Sequence, residues 1–103
     1  MQRRYNISWK NAAKKDLHCI FAYIMFRSSV ERAQYVLQGI SDAAYHAAFM
    51  PQKHAVEPWY NRQDIRFTTK WKYKIIFLIT QDEIHILRIF HTAQNTRKIK
   101  LTL

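Results

Sequence analysis

The hydrophobic period changes once along this chain, and that change limits the folds open to it. Up to about residue 49 apolar residues recur at helical spacing; from Gln63 onward they alternate. Ala13, Leu17, Ile20, Phe21 and Ile24 follow at intervals of 4, 3, 1 and 3, which places them on one helical face. Ala33, Val36, Leu37, Ile40, Ala44, Ala47 and Ala48 form a second such stripe. Further on, Ile65 and Phe67 alternate with Arg66 and Thr68. Trp71, Tyr73, Ile75, Phe77 and Ile79 alternate with Lys72, Lys74, Ile76 and Leu78, and Ile84 and Ile86 with His85 and Leu87. A period of two belongs to strands.

Boundary signals complete the layout. Tyr5, Ile7 and Trp9 alternate with Asn6 and Ser8, predicting an opening strand. A helix over Asn11 to Phe26 follows, with Asn11 as its cap. Ser28 and Glu31 have capping-box spacing and open a second helix running to about Phe49, where Pro51 stops it. Two helices on so short a loop pack antiparallel, and Gly39 with the alanines permits a close approach. Gln52 to Asn61 reads as a loop. Three strands on short turns, one of them Thr80-Gln81-Asp82-Glu83, form an antiparallel meander. The last two are apolar on both faces in their middles, which predicts central positions. The expected fold is α+β over a single domain, residues 1–103. It has an N-terminal strand and an antiparallel helical hairpin on one face of a mostly antiparallel sheet, completed by the three-stranded meander. Charge is expected on the other face and its rim. Lys98 to Leu103 alternates like a short terminal strand, or a tail ordered only by a partner.

Composition removes several classes. With 49% apolar residues among 103, disorder is excluded as the main state. Lone Cys19 has no partner for a disulfide and, beside Leu17 and Ile20, reads as a buried structural thiol. The longest nearly uncharged apolar stretch, Leu17 to Phe26, has ten residues, half the ~20 that span a membrane. The arginines at positions 3 and 4 lack the apolar run of a signal peptide. A cytoplasmic setting without membrane association is expected. The five histidines show no metal-ligand spacing, so neither metal nor cofactor is expected.

Seventeen Lys plus Arg against seven Asp plus Glu give a net charge of +10. Residues 1–51 carry 7 basic and 3 acidic groups, residues 52–103 carry 10 and 4. Positive charge so evenly distributed calls for a polyanionic partner of the folded domain: nucleic acid, an acidic membrane surface or an acidic protein.

Three stretches, in order, narrow the choice. They are Ala13-Lys14-Lys15-Asp16-Leu17-His18-Cys19-Ile20-Phe21-Ala22-Tyr23-Ile24; Ile65-Arg66 followed by Tyr73-Lys74-Ile75-Ile76-Phe77; and Asp82-Glu83-Ile84-His85-Ile86-Leu87-Arg88-Ile89-Phe90-His91-Thr92 with Gln94-Asn95 after it. Together they resemble the RelE/ParE superfamily of type II toxins, with Lys74 where an Arg is usual, Thr92 where a small residue is common and Thr96 where a Pro is frequent. The first helix and the ending look closer to the ParE-like branch.

The resemblance implies a growth-inhibiting toxin in a hetero-oligomer with a cognate acidic antitoxin. A ParE-like member poisons DNA gyrase; the alternative is a RelE-like, ribosome-dependent mRNA endonuclease working without metal. A non-enzymatic nucleic-acid-binding module is a further alternative. The matching nuclease positions are Arg66, Lys74 and His91. Lys72 and Arg88 join them as contacts to target or antitoxin. RNA cleavage needs a general base and acid and cations for the phosphorane. Only His91 has an ordinary pKa near neutrality, so this kit is thin. Trp59, Tyr60 and Trp71 read as shields of a small core rather than base-stacking platforms. Asp16 is expected to pair with a nearby base or cap a turn.

Overall fold

The computed structural model describes residues 4–92. Strand β1 (Asn6–Trp9) leads into helices α1 (Asn11–Arg27) and α2 (Val30–Ala47). A 3-10 turn (Pro51–Lys53) and a two-residue strand β2 (Ala55–Val56) precede β3 (Ile65–Lys70), β4 (Tyr73–Ile79) and β5 (Glu83–His91). The strand order is β1-β5-β4-β3-β2. The apolar middles of β4 and β5 do mark the centre of the sheet. β1 runs parallel to β5, with Ile7 opposite Ile84, and the other pairs are antiparallel. The connection between these two parallel neighbours therefore runs through the helical hairpin and then through β2, β3 and β4.

Ile75, Phe77, Ile84, Ile86 and Ile89 line one sheet face and pack against Ala13, Val36, Ile40, Ala44 and Ala47 of the helices. Burying each large side chain there stabilises the fold by about 2 kcal/mol. Alanine on the facing stripe lets the helices settle close to the sheet. The opposite face differs from expectation. It carries a second, smaller apolar cluster of Ile65, Ile76, Leu87 and Phe90, against which Tyr60, Phe67 and Leu78 pack. A bulge between β4 and β5 leaves Leu87 without an opposite residue, the pattern of one extra residue in a ladder.

Several boundaries move. Asn11 does not cap α1: the cap position is Lys10, with no side-chain bond. Ser28 closes α1, its N–H donating to Ile24 O, so Ser29 is the residue left in extended backbone before α2. The Ser29 hydroxyl accepts from the Arg32 N–H at 3.0 Å. The predicted loop contains the 3-10 turn and β2. Trp71 is not a strand residue: Lys70 pairs with Tyr73, leaving Trp71 and Lys72 as the hairpin turn, with Trp71 at φ 53 in the left-handed region. Its ring lies over Gly39, where a Cβ would collide with it. Cys19 is exposed, against expectation. Two positions beyond Leu17, it sits about 200° round the helix from that residue. No helix among the described residues is long and apolar enough to cross a membrane. The expectation for Lys98 to Leu103 lies outside the described residues.

Candidate functional site

Three of the five predicted site residues are engaged within the fold. Arg66 stands opposite Phe77 on β4 and so faces the helix side. Its Nε donates to Gln63 O (2.8 Å) and its Nη1 to Gln52 O (2.7 Å) and His54 O (2.9 Å). These bonds tie the 3-10 turn and the start of β2 to the sheet. Lys74 stands opposite Phe90 and faces the other side. Its Nζ lies 2.7 Å from Glu57 Oε2 and 4.2 Å above the Phe67 ring. Glu57, from the stretch between β2 and β3, is buried, and its Oε1 accepts the Trp59 N–H.

Arg88 is held at the sheet edge. Its Nε and Nη2 donate to the two Asp16 oxygens at 2.8 and 3.0 Å, and this hydrogen bonding raises its pKa further. Asp16 Oδ2 also accepts the Ile89 N–H at 2.9 Å. β1 ends at Trp9, opposite Ile86, so the β5 edge beyond it would lack a strand partner. Asp16 supplies the acceptor, fulfilling the expectation that it pairs with a nearby base. On the same open face the Tyr60 hydroxyl is buried without a hydrogen-bond partner among the described residues. Burial raises its pKa, opposed by the charge of Arg88.

Lys72 and His91 are brought together elsewhere, at the tip of the helical hairpin. His91 stands opposite Tyr73, and the two rings meet edge-on at 5.5 Å. They border a cleft of about 530 Å³ formed also by Tyr23 and Arg27 at the end of α1, Arg32 and Tyr35 at the start of α2, and Trp71 and Lys72 in the turn. Tyr35 and Trp71 stack at 5.5 Å with a 33° tilt. Arg27 lies over the Tyr23 ring and Arg32 over the Tyr35 ring, at 5.2 and 5.8 Å. Burial, and then the nearby Tyr23 hydroxyl, push the Tyr73 pKa up. Among the described residues no carboxylate pairs with Arg27, Arg32 or Lys72.

Arg66, Lys74 and His91 therefore do not converge. Lys74 faces the opposite side of the sheet from Arg66 and His91, and Arg66 is occupied at the β2 end. The reading of Trp59 and Trp71 as core shields is corrected: they are 44% and 49% exposed, Trp71 beside Tyr23 at 61% and Tyr35 at 60%, while Tyr60 does pack on the smaller cluster. Tyr23, Arg27, Arg32 and Tyr35 were not among the expected site residues. Their signal was present as aromatic–arginine pairs at helical spacings of four and three, off the apolar stripes.

A second groove, of about 610 Å³, runs between the helices, lined by Trp9, Lys14, Leu17, Phe21, Leu37 and Tyr45 among others. It has a single cation, Lys14, where the cleft has three, and Gln34, Gln38 and Ser41 add uncharged polar groups to its apolar side chains. Among the described residues no three His, Cys, Asp or Glu side chains converge as metal ligands would.

Known proteins give this geometry a family. No curated protein sequence matches the chain significantly. The fold is similar to that in the chromosomal ParDE toxin–antitoxin system of P. aeruginosa: TM-score 0.72, 23% identity, 85% of this chain and 96% of that one covered. It is similar also to the RelBE2 toxin–antitoxin complex of Mycobacterium tuberculosis: TM-score 0.65, 15% identity, 91% and 98% covered. Identities this low bear on the fold alone. The family model for the ParE toxin of the type II toxin–antitoxin system parDE matches residues 7–96. That match spans nearly the whole sequence, and the chain belongs to the ParE toxin family of type II toxin–antitoxin systems.

Proposed function

We propose that this toxin arrests growth by poisoning DNA gyrase and that a cognate acidic antitoxin neutralises it. One observation favours gyrase over mRNA cleavage: Arg66, Lys74 and Arg88 each have their charge engaged by a partner inside the fold. Metal-free RNA cleavage asks one phosphate to meet an acid, a base and cations together. His91 and Lys74 lie on opposite faces of one sheet, so no single phosphate touches both. Such a surface suits binding better than cutting.

An antitoxin partner accords with the two similar structures, both of which are toxin–antitoxin systems. The groove between the helices suits an amphipathic antitoxin helix: Leu17, Phe21 and Leu37 are half-buried there, and Tyr45 is half exposed. Apolar anchors at i, i+3 or i+4 are the usual grip of a helix in a groove. Acidic antitoxin segments would then meet the surrounding net charge of +10.

The test is induction in cells, followed by plasmid supercoiling, SOS induction and mRNA 5′-end mapping. DNA damage with intact mRNA is expected, and it should persist in His91→Ala. Codon-phased mRNA cuts that vanish in His91→Ala or Lys74→Ala would overturn the gyrase reading and make the chain a nuclease.

A further inference from the structure

We propose that the cleft at the hairpin tip binds single-stranded nucleic acid, stacking a base on the Tyr35–Trp71 pair and holding the adjoining phosphates with Arg27, Arg32 and Lys72. This goes beyond the gyrase reading and stands whether or not gyrase is the target.

Three features of the cleft carry it. The first is aromatic surface that the fold leaves partly exposed. Tyr35 and Trp71 lie 5.5 Å apart with a 33° tilt and are still 60% and 49% exposed, so much of the paired aromatic surface stays open to solvent. Exposed rings of this kind are the sequence-tolerant platforms on which unpaired bases stack. The Trp71 ring is seated over Gly39, on a backbone in the left-handed region. A ring already held loses little freedom on binding.

The second feature is charge. Three cations from three elements border the platform, and no described carboxylate answers them. A nucleic-acid strand, with one phosphate per base, supplies that answer. The third is size. About 530 Å³ falls in the range of about 300–1,000 Å³ typical of small-ligand sites, the scale of a nucleotide rather than a duplex.

An acidic peptide would satisfy the cations but leave the planar rings without a matching surface. The groove between the helices, where Leu17, Phe21 and Leu37 alternate with hydrogen-bonding Gln34, Gln38 and Ser41, suits a peptide better. DNA and RNA strands share the chemistry the cleft recognises, and the experiment separates them.

The experiment is fluorescence anisotropy on the full chain, purified away from any partner. The labelled probes are ten-nucleotide DNA and RNA strands, an abasic strand of equal charge, a DNA duplex and a glutamate-rich peptide. The base-bearing strands are expected to bind about tenfold tighter than the abasic one, the order of one stacked base. Unequal binding of DNA and RNA would support the site and name its sugar. Tyr35→Ala, and Tyr35→Leu, which keeps bulk without a ring, should abolish that preference while leaving abasic affinity within about twofold. Arg32→Ala should weaken every strand and lower the salt slope by about one. Lys53→Ala, exposed and outside the cleft, should leave the preference for bases intact. Equal binding of base-bearing and abasic strands, tighter binding of the duplex or the peptide, or a preference untouched by both Tyr35 variants would each overturn the proposal. Because the assay contains neither gyrase nor cells, its failure is distinct from failure of the gyrase reading.

Discussion

The Lys74 ammonium lies 2.7 Å from the Glu57 carboxylate, with side chains 18% and 5% exposed. A family-motif cation on a central strand is thereby neutralised by a residue from an irregular stretch outside all three motifs. Removing one partner of a buried pair leaves the other charge stranded. Glu57→Ala should cost about 3 kcal/mol in urea unfolding. The double variant Glu57→Gln with Lys74→Met should recover most of that loss. A cost for Glu57→Ala below about 1 kcal/mol would show the pair to be screened like a surface bridge.

Asp16 has two tasks, pairing with Arg88 and accepting the Ile89 N–H. Asp16→Ala removes both and should destabilise by about 3 kcal/mol. Asp16→Asn keeps an acceptor and should cost about half as much. Amide exchange at Ile89 is the specific readout: it should accelerate strongly in the alanine variant and modestly in the asparagine one. Unchanged exchange in Asp16→Ala would show that another group protects this edge.

Gly39→Ala tests the seat of Trp71. Alanine gains about 1 kcal/mol of helix propensity over glycine, so a free position would be stabilised. Here the new methyl meets the indole ring, and overpacking costs about 1–3 kcal/mol. The variant should be no more stable than wild type and should shift the Trp71 emission. Adding Trp71→Leu should convert the same substitution into a stabilising one.

The caps of α2 separate two adjacent serines. Ser29→Ala removes the bond from the Arg32 N–H and should cost about 1 kcal/mol. Ser28→Ala, whose side chain caps nothing, should fall within about 0.5 kcal/mol of wild type. Thermal unfolding of the two variants decides between them, and the reverse order would restore the cap to Ser28.

Burial holds the His54 imidazole below its ordinary value of 6.5, with the charge of His46 lowering it further. The folded protein thus binds fewer protons there than the unfolded chain. The stability due to neutral His54 is complete above pH 6.5, declines as pH falls below it, and stops declining beneath the lowered folded value. His54→Gln should flatten the stability curve just below pH 6.5. Parallel curves for wild type and variant would remove His54 from the account.

What the sequence determined by itself was everything that depends on period and order. Tyr5-to-Trp9 alternation, the two alanine-containing stripes and the doubly apolar middles of β4 and β5 identified the strands, the helices and the centre of the sheet. The family motifs were legible for the same reason, being mostly apolar positions at fixed spacing. Tertiary structure alone decided which charges are available. Asp16 and Arg88 stand 72 residues apart, and Arg66 reaches carbonyls 12 and 14 positions away. Glu57 meets Lys74 only because the stretch after β2 folds back to the sheet. A guanidinium has the same sequence signature whether it faces solvent or a carboxylate. The cleft likewise joins two helix ends, a turn and the end of β5. Hydrophobic period is a local property of the chain, whereas the partner of a charge is a property of the packed fold.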